Sequence, residues 1–278
     1  MNALLMILAL QSPDSLAVRF AGMTAVTGYE QAMADSLLTL LPGSARDRAG
    51  NVTLTLGRGT PKRLVSCPLD EVGYVVGNIT DDGYVSLRRV GAVPRPNPLF
   101  DQQLEGHRVT LFGRRGPVPG VVAVRSTHLS RGRPAATEPP FTVDNAYVDV
   151  GASSRDEVLA LGLALLTPVS LAKRPHRYGD RLLAAPAAGR RAACAALAAA
   201  VLSKPPRVRG TVVVAFTVQS LYAANAGLNS VKALQGPFGD TREVTIPVKL
   251  EATAVETVAL RDVEALVADL ARWIGGGQ

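Results

Sequence analysis

Apolar residues recur along this chain in two patterns, one typical of helices and one typical of strands. Helical spacing and helix-start residues predict helices that begin at Ser12, cover residues 30–41, end near residue 202 and cover residues 261–273. Alternation with a period of two predicts a strand over residues 50–56, and a fully apolar run predicts a buried strand over residues 211–218. Helices and strands that follow one another in this way predict an α/β fold.

The pattern changes in the middle of the chain, where short alternating runs are separated by Gly, Pro and Asp. These runs cover residues 84–87, 108–112 and 120–124, and together they predict a small β-barrel. Ser153 or Ser154 is expected to cap the helix that follows. The predicted domains are therefore a discontinuous α/β domain of residues 1–72 and 147–278, and a β-barrel domain of residues 73–146 inserted into it.

Composition narrows the choice of partners. The net charge is +7 and the pI is about 9.8, but the basic residues are scattered and aromatic residues make up 5% of the chain, so no nucleic-acid partner is expected. No apolar run approaches the ~20 residues that span a bilayer, so no membrane partner is expected either. The apolar residues 4–10 have no Lys or Arg before them, which favours a first helix over a signal sequence and predicts a cytoplasmic protein.

The cysteines and histidines show no ligand spacing. Cys67 and Cys194 are too few for a disulfide framework and are predicted to be small buried hydrophobic residues. His107, His128 and His176 are predicted to be ordinary surface or hydrogen-bonded side chains, because they are widely spread.

The segment from residue 64 to 76 reads Leu-Val-Ser-Cys-Pro-Leu-Asp-Glu-Val-Gly-Tyr-Val-Val. It resembles the metal-binding strand of the M42 family of two-metal aminopeptidases, in which the strand ends in His-x-Asp-Glu-x-Gly. The order of Gly28-Tyr29-Glu30 and Asp47-Arg48-Ala49-Gly50-Asn51 extends the resemblance towards the start of the chain. The resemblance implies a zinc-peptidase-like α/β/α sandwich with an inserted small β-barrel domain.

The resemblance also implies that the family's metal ligands and general base are missing here. Pro68 and Ala252 stand where the family has metal-binding histidines, and Gly189 stands near the bridging aspartate. Ser220 and Leu221 replace two glutamates, a general base and a metal ligand. A fifth ligand would lie in a segment that this chain lacks between residues 221 and 242. Proline, glycine, alanine and leucine side chains offer no donor atom to a metal, so no metal, no cofactor and no catalytic residue are expected.

Four charged residues near these positions remain to be explained. Asp70 and Glu71 keep the family's acidic pair, and without the histidine an exposed acidic turn is the favoured interpretation over a catalytic one. Arg190 and Arg191 lie at a predicted helix start. Their guanidinium groups could hold a carboxylate, such as a peptide C-terminus, although extension into solvent is favoured.

We therefore predict an M42 aminopeptidase-like protein that is catalytically inactive and has a binding, assembly or regulatory role. Its partners would be a second copy of itself, a related peptidase or peptides. One alternative is a metal-dependent aminopeptidase or other hydrolase that has rebuilt its site from other residues. Another is a remnant that folds poorly, because a shortened α/β domain exposes sheet edges.

Overall fold

The computed structural model describes residues 12–92, 100–124, 141–203, 207–223 and 225–276. The predictions for residues 4–10, for the stretch just beyond residue 203 and for His128 lie outside these ranges. The chain forms two compact units. One combines Met1–Glu71 with Lys173–Gln278, and the other is Val72–Ala172.

The first unit contains most of the helices and two sheets. Its helices are α1 (Pro13–Ala21), α2 (Gln31–Leu40), α4 (Ala188–Leu202), α5 (Ala226–Gln235) and α6 (Leu260–Gly275). Its strands are β1 (Ala45–Arg46), β2 (Val52–Gly57), β3 (Lys62–Pro68), β10 (His176–Tyr178), β11 (Leu182–Ala184), β12 (Thr211–Thr217), β13 (Asp240–Glu243) and β14 (Thr257–Ala259). Ser12 begins α1 as predicted, since its hydroxyl accepts a hydrogen bond from the Ser15 N–H at 3.2 Å.

The main sheet has the order β1-β2-β12-β3-β13. Strand β12 runs parallel to β3 and antiparallel to β2, and β13 runs parallel to β3. The edge strands are short, and β13 consists of Asp, Thr, Arg and Glu, so charge protects the exposed edge. A separate antiparallel sheet has the order β10-β11-β14.

Side-chain alternation along β12 gives the main sheet two buried faces. Val212, Val214 and Phe216 pack into the large core with α1, α2, α4 and α6. Val213 and Ala215 point to the other face and pack with Val231 of α5. The predicted α/β/α sandwich is confirmed, because helices cover both faces of one mixed sheet.

Helix α4 lies in the middle of this core. Nearly all of its residues from Ala188 to Val201 are buried, and the helix packs against α1 and α6. Alanine makes such burial possible, because small side chains allow neighbouring helices to approach closely while preserving good helix propensity. Arg63 of β3 supports α6 from the sheet, because it donates hydrogen bonds to the carbonyls of Trp273 and Ile274 at the end of that helix.

The second unit is a closed six-stranded barrel with the order β4-β5-β8-β7-β6-β9. The strands are β4 (Gly73–Ile79), β5 (Val85–Val90), β6 (Arg108–Gly113), β7 (Gly116–Val122), β8 (Tyr147–Asp149) and β9 (Pro168–Leu171), with helix α3 (Arg155–Ala160) between β8 and β9. Ser154 caps α3 by accepting a hydrogen bond from the Glu157 N–H at 3.3 Å, as predicted.

The barrel extends further along the chain than the predicted residues 73–146. Strand β8 pairs with β5 and β7, and β9 pairs with β4 and β6, so both are needed to close the barrel. The predicted return to the α/β domain at residue 147 is wrong for this reason, and the unit ends at Ala172. Three-residue β8 and four-residue β9 were too short for their alternation to reveal which sheet they join.

No helix within the described ranges is long and apolar enough to cross a membrane.

Candidate functional site at the ends of two parallel strands

The neighbouring parallel strands β3 and β12 end side by side, with Pro68 opposite Thr217. The chain beyond β3 carries Asp70, and the chain beyond β12 carries Ser220 and Leu221. The carboxylate of Asp70 accepts a hydrogen bond from the Ser220 hydroxyl at 2.6 Å and another from the Leu221 N–H at 2.8 Å. These contacts bring three of the predicted site residues together and join the two strand ends.

Asp70 and Glu71 are not an exposed acidic turn, and that prediction is wrong. Asp70 is fully buried and Glu71 is 5% exposed. Burial of a carboxylate is costly unless donors surround it, and both residues have such donors. The sequence alone could not predict this burial, because the compensating groups come from distant parts of the chain, at residues 25, 173, 190, 191, 220 and 221.

Arg190, in the first turn of α4, connects the helix to the strand ends. Its guanidinium donates to the Ser220 hydroxyl at 2.8 Å and to the Asp70 carbonyl at 3.3 Å, and lies 3.6 Å from the Asp70 carboxylate. Its side chain is 28% exposed. A protein cation is therefore paired with the remaining aspartate at the place where the family resemblance leads one to expect a metal.

Arg191 belongs to a different, fully internal cluster with Glu71 and Lys173. The exposed fractions of the three side chains are 0%, 5% and 5%. Glu71 forms an ion pair with Lys173 and a second one with Arg191 at 3.2 Å. Arg191 also donates to the carbonyls of Met23 and Leu69, and Lys173 donates to the carbonyl of Pro186 at 3.2 Å. Arg191 does not extend into solvent, contrary to the favoured interpretation of its sequence.

The pKa values of this cluster follow from its burial. Burial alone would raise the pKa of Glu71, but the charges of Lys173 and Arg191 hold that pKa below its ordinary value. Burial lowers the pKa of Lys173, and the neighbouring Glu71 charge opposes that change. The Arg191 Nη2 atom, although 3.2 Å from Glu71, makes no hydrogen bond to any residue in the described part of the chain. The contact between Arg191 and Glu71 is therefore an ion pair without hydrogen-bond alignment.

Glu256 occupies the N-terminus of α4. Its carboxylate accepts hydrogen bonds from the Gly189 N–H at 2.8 Å and from the Ala252 N–H at 3.1 Å, which brings two further predicted positions together. Ala187, the residue before the helix, provides no side-chain cap, so Glu256 does so from a distant part of the chain. Burial raises the pKa of Glu256 despite these two donors.

Glu30 supports the same region from the loop before α2. Its carboxylate accepts from the Gly28 N–H at 2.9 Å and from the Gln219 N–H at 2.8 Å, so it holds the chain just before Ser220. Burial raises its pKa. Lys173 and Glu30 were not predicted as site residues. Glu30 belongs to the Gly28-Tyr29-Glu30 motif of the family resemblance, and no local pattern around Lys173 indicates its role.

Three residues next to or at the replaced ligand positions have left-handed backbone conformations. Ala187 has φ 57°, Gln219 has φ 54° and Ala252 has φ 61°. Such angles are unfavourable for residues other than glycine and are frequent at functional sites.

The residues present do not fit a two-metal centre. The positions expected to supply ligands hold Pro68, Gly189, Ser220, Leu221 and Ala252. Within the described residues there is no group of three His, Cys, Asp or Glu side chains that could hold a metal ion. The carboxylates that remain nearby already accept hydrogen bonds from N–H or hydroxyl donors, or ion-pair with lysine and arginine. His107 and His176 are exposed, as predicted.

The two cysteines are joined, which corrects the prediction of two separate hydrophobic side chains. A disulfide links Cys67 to Cys194, with the Cα atoms 5.5 Å apart. Both residues are fully buried, as predicted. Their separation of 127 residues concealed the pairing, because linear spacing contains no information on such distant contacts.

An α/β/α sandwich with a six-stranded barrel insert is also the fold of solved peptidase structures. The M42 glutamyl aminopeptidase family matches residues 50–225, more than half of the chain, and the chain therefore belongs to this family. The SgcX protein of Escherichia coli strain K12 is 32% identical over 180 residues, which are 62% of this chain and 46% of that protein. Lysyl aminopeptidase of Pyrococcus furiosus is 31% identical over 168 residues, 58% of this chain and 46% of that enzyme. The chain spans about half the length of these relatives.

Solved structures have the same fold. An aminopeptidase from Desulfurococcus kamchatkensis superposes with a TM-score of 0.80 over 95% of both chains, at 17% identity. The TET1 peptidase of Pyrococcus horikoshii, which can assemble into a tetrahedron or a large octahedral shell, gives 0.78 over 95% of this chain and 99% of its own, at 20% identity. These comparisons establish the fold.

Proposed function

We propose that this chain is a non-catalytic member of the M42 family that acts by binding or assembly. The observation that carries the proposal is the bonding of Asp70. Both oxygens of its carboxylate are taken by Ser220 and Leu221, at the two positions where the family resemblance implies a general base and a metal ligand. The nearby cation is Arg190. A carboxylate that already has two donors and a cation beside it is compensated by the protein itself, and a metal ion would have to compete with Arg190 for it.

The charges of the whole site support the same conclusion. Three basic side chains, Lys173, Arg190 and Arg191, lie among the carboxylates of Asp70, Glu71 and Glu256. These three cations already balance the three carboxylates, so little negative charge is left to offset the loss of hydration of two divalent ions.

The alternative of a rebuilt hydrolase is less well supported. A serine nucleophile needs a neighbouring base that withdraws its proton. Ser220 donates its proton towards Asp70, but the same hydroxyl oxygen accepts a hydrogen bond from Arg190, which reduces its nucleophilicity. No histidine in the described ranges accompanies this pair.

Metal analysis and an aminopeptidase assay test the proposal together. Purified protein would be incubated with zinc, cobalt or manganese, dialysed and analysed for bound metal, and then assayed on a panel of aminoacyl p-nitroanilides. Lysyl aminopeptidase would serve as the positive control. We expect far less than one ion per chain and no turnover above the blank. One or two retained ions per chain, or turnover that is lost in Ser220→Ala, would overturn the proposal.

Assembly is the role that we propose first, with a second copy of the chain or a related peptidase as the partner. The support is the TET1 peptidase, a relative in fold that assembles into shells. Sedimentation velocity at several protein concentrations, alone and mixed with an active M42 peptidase, would show the association. A monomer under every condition would leave peptide binding as the remaining role.

A further inference from the structure

The disulfide has one end on each of two elements that carry replaced ligand positions. Cys67 precedes Pro68 at the end of β3, and Cys194 lies in α4, five residues after Gly189. We propose that the Cys67–Cys194 bond replaces metal ions as the link that holds α4 to the end of β3. The inference rests on the proposed absence of metal.

Other links between β3 and α4 are weaker than a covalent bond. The Arg190 contacts with Asp70 and Ser220 are non-covalent and partly exposed, so water competes with them. Arg191 of α4 makes buried contacts with Leu69 and Glu71 just beyond β3, but these are non-covalent as well. A disulfide across 127 residues, by contrast, removes many conformations of the unfolded chain. The stability of the site region therefore depends on redox state and not on metal supply.

The bond forms by thiol–disulfide exchange with a small or protein disulfide as the oxidant. One cysteine thiolate attacks the oxidant's disulfide and releases a thiolate, and the second cysteine then attacks the mixed disulfide and releases the other. Two thiols of this chain are oxidised, and the oxidant's disulfide is reduced to two thiols. Both cysteines are fully buried in the folded chain, so exchange takes place before the region closes or after it opens.

The bond also bears on the compartment. Structural disulfides persist in oxidising compartments and are rare in the cytoplasm, where thiol systems keep cysteines reduced. Persistence of the bond therefore requires either an oxidising compartment or protection of the buried disulfide from cellular reductants.

Thiol counting and melting temperatures test the inference. Protein purified without reductant would be denatured and alkylated, and the labels counted by mass spectrometry. We expect no label before reduction and two labels after it. In parallel, the chain would be unfolded in denaturant, refolded with or without tris(carboxyethyl)phosphine, and melted after its thiol count is verified. We expect the reduced form to melt about 5–15 °C lower, or to fail to refold when the oxidised sample refolds.

The control is the double variant Cys67→Ala with Cys194→Ala. Its melting temperature should not respond to the reductant. Two labels on unreduced wild-type protein, equal melting of the two wild-type forms, or a reductant effect that persists in the double variant would overturn the inference. A further sample with EDTA separates the two proposals. A lower melting temperature in EDTA counts against the proposed absence of metal, whereas loss of the reductant effect counts against the disulfide link.

Discussion

The substitution Glu71→Gln tests the buried cluster most directly. Among the residues that the structure describes, Glu71 is the one carboxylate that forms an ion pair with both Lys173 and Arg191, and all three side chains are at least 95% buried. Glutamine has nearly the same shape and preserves an oxygen that can accept from the Ala25 N–H, now at 3.2 Å from Glu71. The substitution therefore removes one negative charge and leaves Lys173 and Arg191 without an anionic partner.

The size of the loss in stability depends on the hydrogen bonds that Lys173 and Arg191 retain in the variant. Removing one partner of a buried ion pair typically costs about 3–5 kcal/mol. Lys173 would still donate to Pro186, and Arg191 would still donate to Met23 and Leu69. These remaining bonds partly compensate each cation, so we expect a loss of about 3 kcal/mol in the free energy of unfolding, at the lower end of that range.

Urea unfolding followed by circular dichroism would measure this loss. Asp35→Asn is the matched control in the same unit, because Asp35 also pairs with an arginine, Arg46, but is 67% exposed. We expect that control to change stability by less than about 1 kcal/mol. Equal stabilities for Glu71→Gln and the wild type, or equal losses for Glu71→Gln and Asp35→Asn, would refute the reasoning about burial.

The same variant has a distinct pH dependence. The pKa of Glu71 in the folded chain lies below its ordinary value of 4.5. Its charge therefore stabilises the fold fully above about pH 4.5, and this stabilisation is lost as the pH falls through the lower folded pKa. The difference between wild type and Glu71→Gln should be constant near neutral pH and should shrink below pH 4.5. A difference that grows on acidification would contradict the sign of the shift.

Three further substitutions have defined outcomes. Glu256→Ala should destabilise the chain by about 1–2 kcal/mol in urea unfolding, because the N-terminus of α4 loses its cap; unchanged stability would show that the cap is dispensable. Arg63→Met should lower the free energy of unfolding by about 2–3 kcal/mol, because the carbonyls of Trp273 and Ile274 at the end of α6 lose their donor. Arg242→Met, which removes a partly exposed pair with Asp269, is the control and should have a smaller effect. Calorimetric titration of the wild type with acetate and short peptides should show no saturable binding at Arg190, because Ser220 and Asp70 already hold that side chain. Binding that is present in the wild type and absent in Arg190→Ala would establish an anion site there.

Elements with long regular patterns were predicted well from the sequence. The apolar run before residue 218 forms β12, and the alanine-rich stretch forms α4, which ends at Leu202 as expected. The end of the barrel was missed because β8 and β9 are short, and because strand pairing between distant residues decides which sheet they join. Periodicity indicates that a strand exists but not which neighbour it pairs with.

The candidate site illustrates a different limit. Family motifs located Asp70, Ser220 and Ala252, although their new partners could not be read from those motifs. Burial of Glu71 depends on Lys173, which is 102 residues away along the chain. Charged residues look solvent-exposed in a sequence unless the opposite charge is known to be near, and only the folded chain supplies that information.

The link between Arg190 and Asp70 has an evolutionary consequence. Under the proposed non-catalytic function, a metal site would need several new ligands at once, yet each single substitution would meet a site that its own side chains already neutralise. If the proposed non-catalytic function is correct, no single substitution would create a metal site here, because the remaining carboxylate is already paired with groups of the protein itself.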